Sequence, residues 1–400
     1  MAKQTPLNLQ TSPKNKLAPW LWIILILGAI AGYGFSSFVL ILKINNGEFY
    51  ITRYPIKREN WTHPRLKQLR EQEKLDQVIA SGKTEFEKII LLRKWTRSQW
   101  EGSQQFYYPP WDAIEILNLA RTHHNKPFCA QYAIVFLQAC TALGIPARYV
   151  DLPGHFVVEV WSNEYNCWVL MDTTKDIHFE KNGFPLKGTK IAEAYWKNNT
   201  KGIYKVKSDF SKEPVQNRNE LNIYRMFSIV LRTNHLSEPI AVIINKKPIR
   251  PLLIENDYKK YPYVGKDSIG FGEDFVEWNE EDQTEFFVDK MRSHDVDDFA
   301  AMWNQSMIYI GSKNSDTGMI KLRLEHENSS DMKCFLIQTD DNQIWKEADD
   351  LVLWKIHSGL NRLEAKIKTQ HNWEGPESSI LIFYKKRWLS QPNKTEYNAY

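Results

Sequence analysis

Between Phe128 and Thr174 the spacing of apolar residues changes character twice, and this stretch limits the possible folds more than any other. Cys129, Tyr132, Ala133, Phe136, Cys140 and Leu143 recur at the spacing of one helical face. Gly144 and Pro146 then mark a helix end. Residues 147–150 read as a strand, and Leu152-Pro153-Gly154 as a turn. Residues 155–161, rich in valine and aromatics, read as a second strand. Residues 162–166 are polar and aperiodic. Residues 167–171 read as a third strand that ends at Asp172. An apolar helix followed by a short meander predicts an α+β domain.

Upstream, the pattern is helical. Leu66, Leu69, Val78 and Ile79 share a face, and Ser81-Gly82 stops the run. Thr84 with Glu87 and Asp112 with Glu115 each have the spacing of a capping box that opens a helix. His123 and His124 are read as loop residues.

The chemistry-bearing residues fall at the ends of these elements. A free thiol titrates near pH 8.5, so a cysteine nucleophile needs help to ionise. Cys129 stands at the predicted helix start, just after Pro127. A sulfur there meets unpaired backbone N–H groups and the positive end of the helix dipole. The same N–H groups suit an oxyanion. If the second and third strands pair across the polar loop, Val160 faces Cys167 or Trp168, and His155 falls beside or opposite Asp172. Asp172 then accepts a hydrogen bond from the His155 ring and leaves its other nitrogen for Cys129. Taken singly, each residue has a bland reading: a small core cysteine, a structural histidine, a turn-forming aspartate. Their joint placement points to nucleophile, base and orienting acid.

Phe128-Cys129-Ala130-Gln131-Tyr132-Ala133, then Leu143-Gly144-Ile145-Pro146-Ala147-Arg148-Tyr149-Val150, then 155–161 and Trp168-Val169-Leu170-Met171-Asp172 resemble the core of the transglutaminase-like superfamily. The resemblance implies a papain-like fold, with Cys129, His155 and Asp172 at the catalytic positions. It implies acyl transfer through a thioester, without cofactor or metal. The expected partner is a protein or peptide amide, resolved by water or by a second amine. The family's second oxyanion donor is not placed by the motif, and Trp111 and Gln131 are the cleft candidates. The chain is too short for the four-domain calcium-dependent crosslinking enzymes, and it lacks the paired CxxC zinc site of glycanase relatives. A non-catalytic binding or scaffolding module on the same fold is the alternative.

Residues 20–42 carry no charge and are mostly aliphatic, with Trp20 and Trp22 at one end and Lys43 at the other. As a helix such a segment is long enough to cross a bilayer. Ala29-Ile30-Ala31 has the form of a signal cleavage site, but the apolar run continues past it. A single-pass anchor in contact with membrane lipid is therefore expected, with the bulk of the chain extracytoplasmic. Beyond residue 205, short strand-like runs separated by turns predict β-sandwich material. The expected order is a tail (1–19), a transmembrane helix (20–42), a stalk (43–60) and a transglutaminase-like domain (61–205). A β-rich region (206–315) with a helical piece near 297–303, an immunoglobulin-like sandwich (316–390) and a tail (391–400) follow.

The four cysteines, Cys129, Cys140, Cys167 and Cys334, form no CxxC pair and are too few for a disulfide framework. A formal charge of +4, with Lys and Arg scattered, gives no footprint for nucleic acid.

Overall fold

The computed structural model describes residues 36–47, 57–102, 111–122, 126–230, 233–237, 242–244, 247–249, 275–278, 291–293, 299–329 and 331–387. Its centre is the helix Cys129–Ala142, in which every residue from Ala130 to Cys140 is buried. A helix that is apolar all round has to be enclosed. The helices Pro64–Gln72, Glu85–Arg97 and Ala113–Thr122 and the strands behind it do so, sharing one core with Leu66, Ile89, Leu117, Phe136, Val158 and Val169. Gly144 ends the helix at φ +70, and the Ile145 amide reaches back to the Cys140 carbonyl (2.9 Å). That is the left-handed closure only glycine adopts without strain.

Local chemistry sets the other helix starts. Thr84 Oγ1 accepts from the Glu87 amide, and Asp112 Oδ1 accepts from Ile114 and Glu115. The predicted single helix through Leu66 and Ile79 is two helices, Pro64–Gln72 and Leu75–Ile79. They are broken at Lys74, whose φ of +52 leaves the helical region.

The strands Ala147–Leu152, His155–Ser162 and Cys167–Asp172 form an antiparallel meander inside a ten-stranded sheet. Both faces are covered. Val157, Leu170 and Phe179 pack beneath the sheet with Ile191 of the helix Gly188–Trp196, so the strands are apolar without alternation. The register differs from expectation. Val160 faces Val169, and Ser162 faces Cys167, because Ser162 joins its strand and the turn, 163–166, is shorter than the expected loop 162–166, closing through Asn166 at φ +50. His155 therefore lies diagonal to Asp172, not opposite it. Both still point to the same side of the pleat.

The core sheet does not stop near residue 205. The strand Phe227–Val230 adds to it beside Ala147–Leu152, with Val150 facing Ile229. The helical piece expected near 297–303 is irregular over its described residues, 299–303. Its carbonyls are taken by side chains of the core: Arg148 binds the Phe299 carbonyl (2.8 Å), and Trp168 Nε1 the Ala301 carbonyl (2.7 Å).

The C-terminal β-rich region holds two antiparallel sheets. One is built from Gln305–Asn314, Met319–Glu327 and Leu351–Lys355. The other is ordered Phe38–Asn45, Ser378–Lys385, Gly359–Thr369, Met332–Thr339, Asn342–Ala348. Ile308, Leu322, Trp354, Ile367, Ile380 and Ile382 form their common core.

The first strand of that second sheet corrects the membrane expectation. Residues 38–42, assigned to the transmembrane helix, are extended and hydrogen-bonded to Ser378–Lys385. The remainder of the expected span, 20–35, lies outside the described residues. No helix among the described residues is long and apolar enough to cross a membrane. Chain order hid the strand, because Phe38–Asn45 continues the apolar run without a break and its pairing partner lies at the far end of the chain.

Candidate active site

Cys129 is the first residue of the buried helix, and its side chain is half-exposed where those after it are enclosed. The segment leading into it is pinned. Trp100 Nε1 donates to the Pro127 carbonyl (2.9 Å), and the Trp100 ring stacks on Tyr132 one turn into the helix (4.0 Å between centroids). Gln131 Oε1 accepts from the Phe128 amide (3.2 Å), which ties the helix start to its first turn.

His155 opens its strand immediately after the Pro153-Gly154 turn, and it is nearly buried. Its Nε2 lies 2.8 Å from Asp172 Oδ2, and the Cys129 side chain is close enough to act on the ring from its other side. With Nε2 engaged by the carboxylate, Nδ1 is the nitrogen left for the sulfur. Burial works against the imidazolium, but the hydrogen bond and charge of Asp172, with a contribution from the Cys129 side chain, win, raising His155 to about 9.

Asp172 is wholly buried at the end of its strand. Burial alone would raise its carboxyl. The hydrogen bond and charge of His155, the Lys175 ammonium and the Tyr224 hydroxyl hold it below the ordinary carboxylate value instead. Tyr224 donates to Asp172 Oδ2 (2.6 Å), the same oxygen that meets His155, while Lys175 Nζ donates to the Tyr224 hydroxyl (3.0 Å) and lies 3.6 Å from the carboxylate. The Lys175 amide caps the other oxygen, Oδ1 (3.1 Å).

The structure thus brings Cys129, His155 and Asp172 together. Trp111 is buried in the core against which Cys129 packs. Its ring packs edge-on to His235 (4.5 Å) and tilted to Tyr149 (4.8 Å), and its carbonyl accepts from Gln138. Gln131 is fully buried, with its Nε2 lacking a hydrogen-bond partner among the described residues. His123 and His124 lie outside the described residues. Sequence reasoning missed Tyr224 and Lys175. Tyr224 ends a 3-10 turn, Arg218–Tyr224, beyond the assumed domain boundary, and nothing local in the sequence announces its long-range partner. Lys175, three residues after Asp172, was legible as a turn donor but not as a partner of the tyrosine.

The other thiols are poor nucleophiles. Burial pushes Cys167 up to about 12 and holds Cys140 well above the ordinary thiol value, and Cys334 is also raised by burial and by Glu347.

Comparison with known families gives the same answer as the motifs. Residues 72–173 match the family model described as the transglutaminase-like superfamily. No curated protein matches the chain. Among solved structures, the crystal structure of red sea bream transglutaminase aligns over 85% of this chain and 78% of its own, at 10% identity and a TM-score of 0.22. So distant an alignment supports no statement about fold or activity. The matched stretch ends one residue past Asp172 and includes Cys129 and His155, so the residues of the candidate site fall within the part of the chain that is similar to the transglutaminase-like superfamily.

Proposed function

We propose that the chain is a thiol-dependent acyl-transfer enzyme acting on amide bonds of proteins or peptides. The observation that carries this reading is the placement of His155 between the Cys129 side chain and the Asp172 carboxylate. The Cys129 sulfur attacks the amide carbonyl carbon, and the backbone N–H groups at the helix start stabilise the oxyanion. As the C–N bond breaks, the His155 imidazolium delivers a proton from Nδ1 to the departing nitrogen. Asp172 keeps the ring oriented and its charge compensated. Water or an incoming amine then gives its proton to His155, attacks the thioester carbonyl and releases the thiolate. Water yields hydrolysis, and an amine yields a new amide.

Tethering at a membrane belongs to the same proposal. With 38–42 assigned to a strand, the uncharged run 17–35 remains, 19 residues long. As a helix it would measure about 28 Å, close to the hydrocarbon thickness of a bilayer.

The test is mass spectrometry of the full chain after incubation with a peptide or protein mixture and acid quench. The expected result is an acyl adduct on Cys129, lost in Cys129→Ala and absent or much reduced in His155→Ala. A protein that never acquires an adduct, and whose Cys129 alkylates at the same rate with or without His155, is instead a binding module on an enzyme fold.

A further inference from the structure

The C-terminal sandwich has an outward corner that neither the candidate site nor the core uses. On the strand Phe38–Asn45, Leu40 is 51% exposed; it faces Phe383, which in turn faces Leu360, 57% exposed. These three side chains form one row across three adjacent strands on the outer face, since Val39 and Tyr384 in the neighbouring register are buried inward. Phe38 extends the row, its ring 6.0 Å from that of Phe383. Phe38 also faces Lys385, and the chain continues with exposed Lys386 and Arg387. The Arg387 amide donates to Ser37 Oγ (2.9 Å), so the basic run lies against the point where the chain enters this sheet.

The chain just before this corner is the uncharged run 17–35, two residues from Phe38. A surface that joins exposed leucines and half-buried phenylalanines to three consecutive cations, next to a segment of bilayer length, matches the chemistry of a lipid interface. Aromatic and aliphatic groups enter the boundary region, and basic residues meet anionic headgroups. We propose that the corner formed by Phe38, Leu40, Leu360, Phe383 and Lys385–Arg387 seats on an anionic lipid surface, fixing how the sandwich stands on the membrane. This rests on the membrane tether proposed above, and not on the chemistry of Cys129.

The full chain is reconstituted into vesicles of phosphatidylcholine and phosphatidylglycerol that carry a photoreactive group at the glycerol level, and labelled peptides are mapped by mass spectrometry. Labelling is expected at 38–40, at Leu360 and at 383–387, as well as within 17–35, with Leu351 and Leu353 of the opposite sheet unlabelled. Each cation near an anionic surface contributes roughly five-fold to binding. The triple variant Lys385→Glu, Lys386→Glu, Arg387→Glu should therefore lose corner labelling by at least about ten-fold while labelling of 17–35 persists. Replacing phosphatidylglycerol with phosphatidylcholine should act in the same direction. Labelling confined to 17–35 overturns the seating and leaves the tether intact, and labelling of the Leu351–Leu353 face overturns it in favour of the other sheet. An unlabelled chain overturns both. None of these outcomes bears on adduct formation at Cys129.

Discussion

At the scale of single residues, the candidate site rests on one buried carboxylate with three donors around it. Asp172 receives His155, Tyr224 and the Lys175 amide, with the Lys175 ammonium close by. His155, raised to about 9 chiefly against the pull of burial, keeps its proton across the neutral range. Proton delivery to a leaving amine requires the imidazolium, so the rate of acylation, read as release of the amine, should fall as pH rises through about 9. Asp172→Asn removes the carboxylate that raises the ring. Its alkaline limb should move down by more than one unit toward the ordinary value near 6.5, and an unmoved limb in the pH–rate profile would show that another group sets it. Tyr224→Phe tests the missed partner. It leaves the carboxylate buried and one donor short, at a cost of about 2 kcal/mol. The urea midpoint should drop accordingly, and turnover should fall while substrate KM holds, because Tyr224 acts through Asp172 and touches no substrate. A Tyr224→Phe protein as stable and active as the parent would reduce the hydroxyl to a bystander.

Elements reach the site through their ends, and the end that fixes the His155–Asp172 hairpin lies far off in the chain. Glu85, at the first turn of the helix Glu85–Arg97, accepts from the Asn163 amide (3.1 Å), Asn163 Nδ2 (2.7 Å), the Glu164 amide (2.8 Å) and Ser162 Oγ (3.3 Å). Glu164 answers by accepting from the Phe86 amide (3.1 Å) at the same helix start. The turn and the helix N-terminus thus cap each other. Glu85→Ala strips the turn of its acceptors and should cost roughly 2–4 kcal/mol. Hydrogen exchange should quicken at Asn163 and Glu164 before it does in the strand centres; uniform exchange across the hairpin would mean the pair is decorative. This also marks how far the sequence could be read. Pro127, Gly144 and Pro146 bracket the helix Cys129–Ala142, and valine-rich runs mark the strands, because those signals are local. The register was missed by one or two residues because nothing within 162–166 reveals that Glu85 holds the turn to the four residues 163–166. The strand Phe38–Asn45 was hidden because an edge strand joined to an apolar run has no period of its own, and Tyr224 because its hydroxyl's partner is set only by the closed sheet.

The whole molecule is joined where the helix Cys129–Ala142 ends. Trp373 Nε1, from the sandwich, donates to the Leu143 carbonyl (2.7 Å), the last turn of the helix that Cys129 begins. His371 sits beside it, donating from Nδ1 to Asp331 Oδ2 (3.1 Å) and meeting Trp61 edge-on (4.7 Å). A Cβ added to Gly144 would come within 2.2 Å of His371 Nδ1, on a backbone at φ +70. Gly144→Ala therefore carries two penalties, the left-handed strain of about 1–2 kcal/mol and displacement of the sandwich loop. Gly183 separates them. It lies in a hairpin turn at φ +81 with nothing within 4 Å of the added carbon, so Gly183→Ala meets the strain alone. Gly144→Ala should lose clearly more stability than Gly183→Ala, and the excess should appear as earlier unfolding of the sandwich than of the core in calorimetry. Equal losses, with one shared transition in both variants, would mean that the two parts are not coupled through the helix end, and that the seat formed by Trp373 and His371 transmits nothing to the helix on which Cys129 sits.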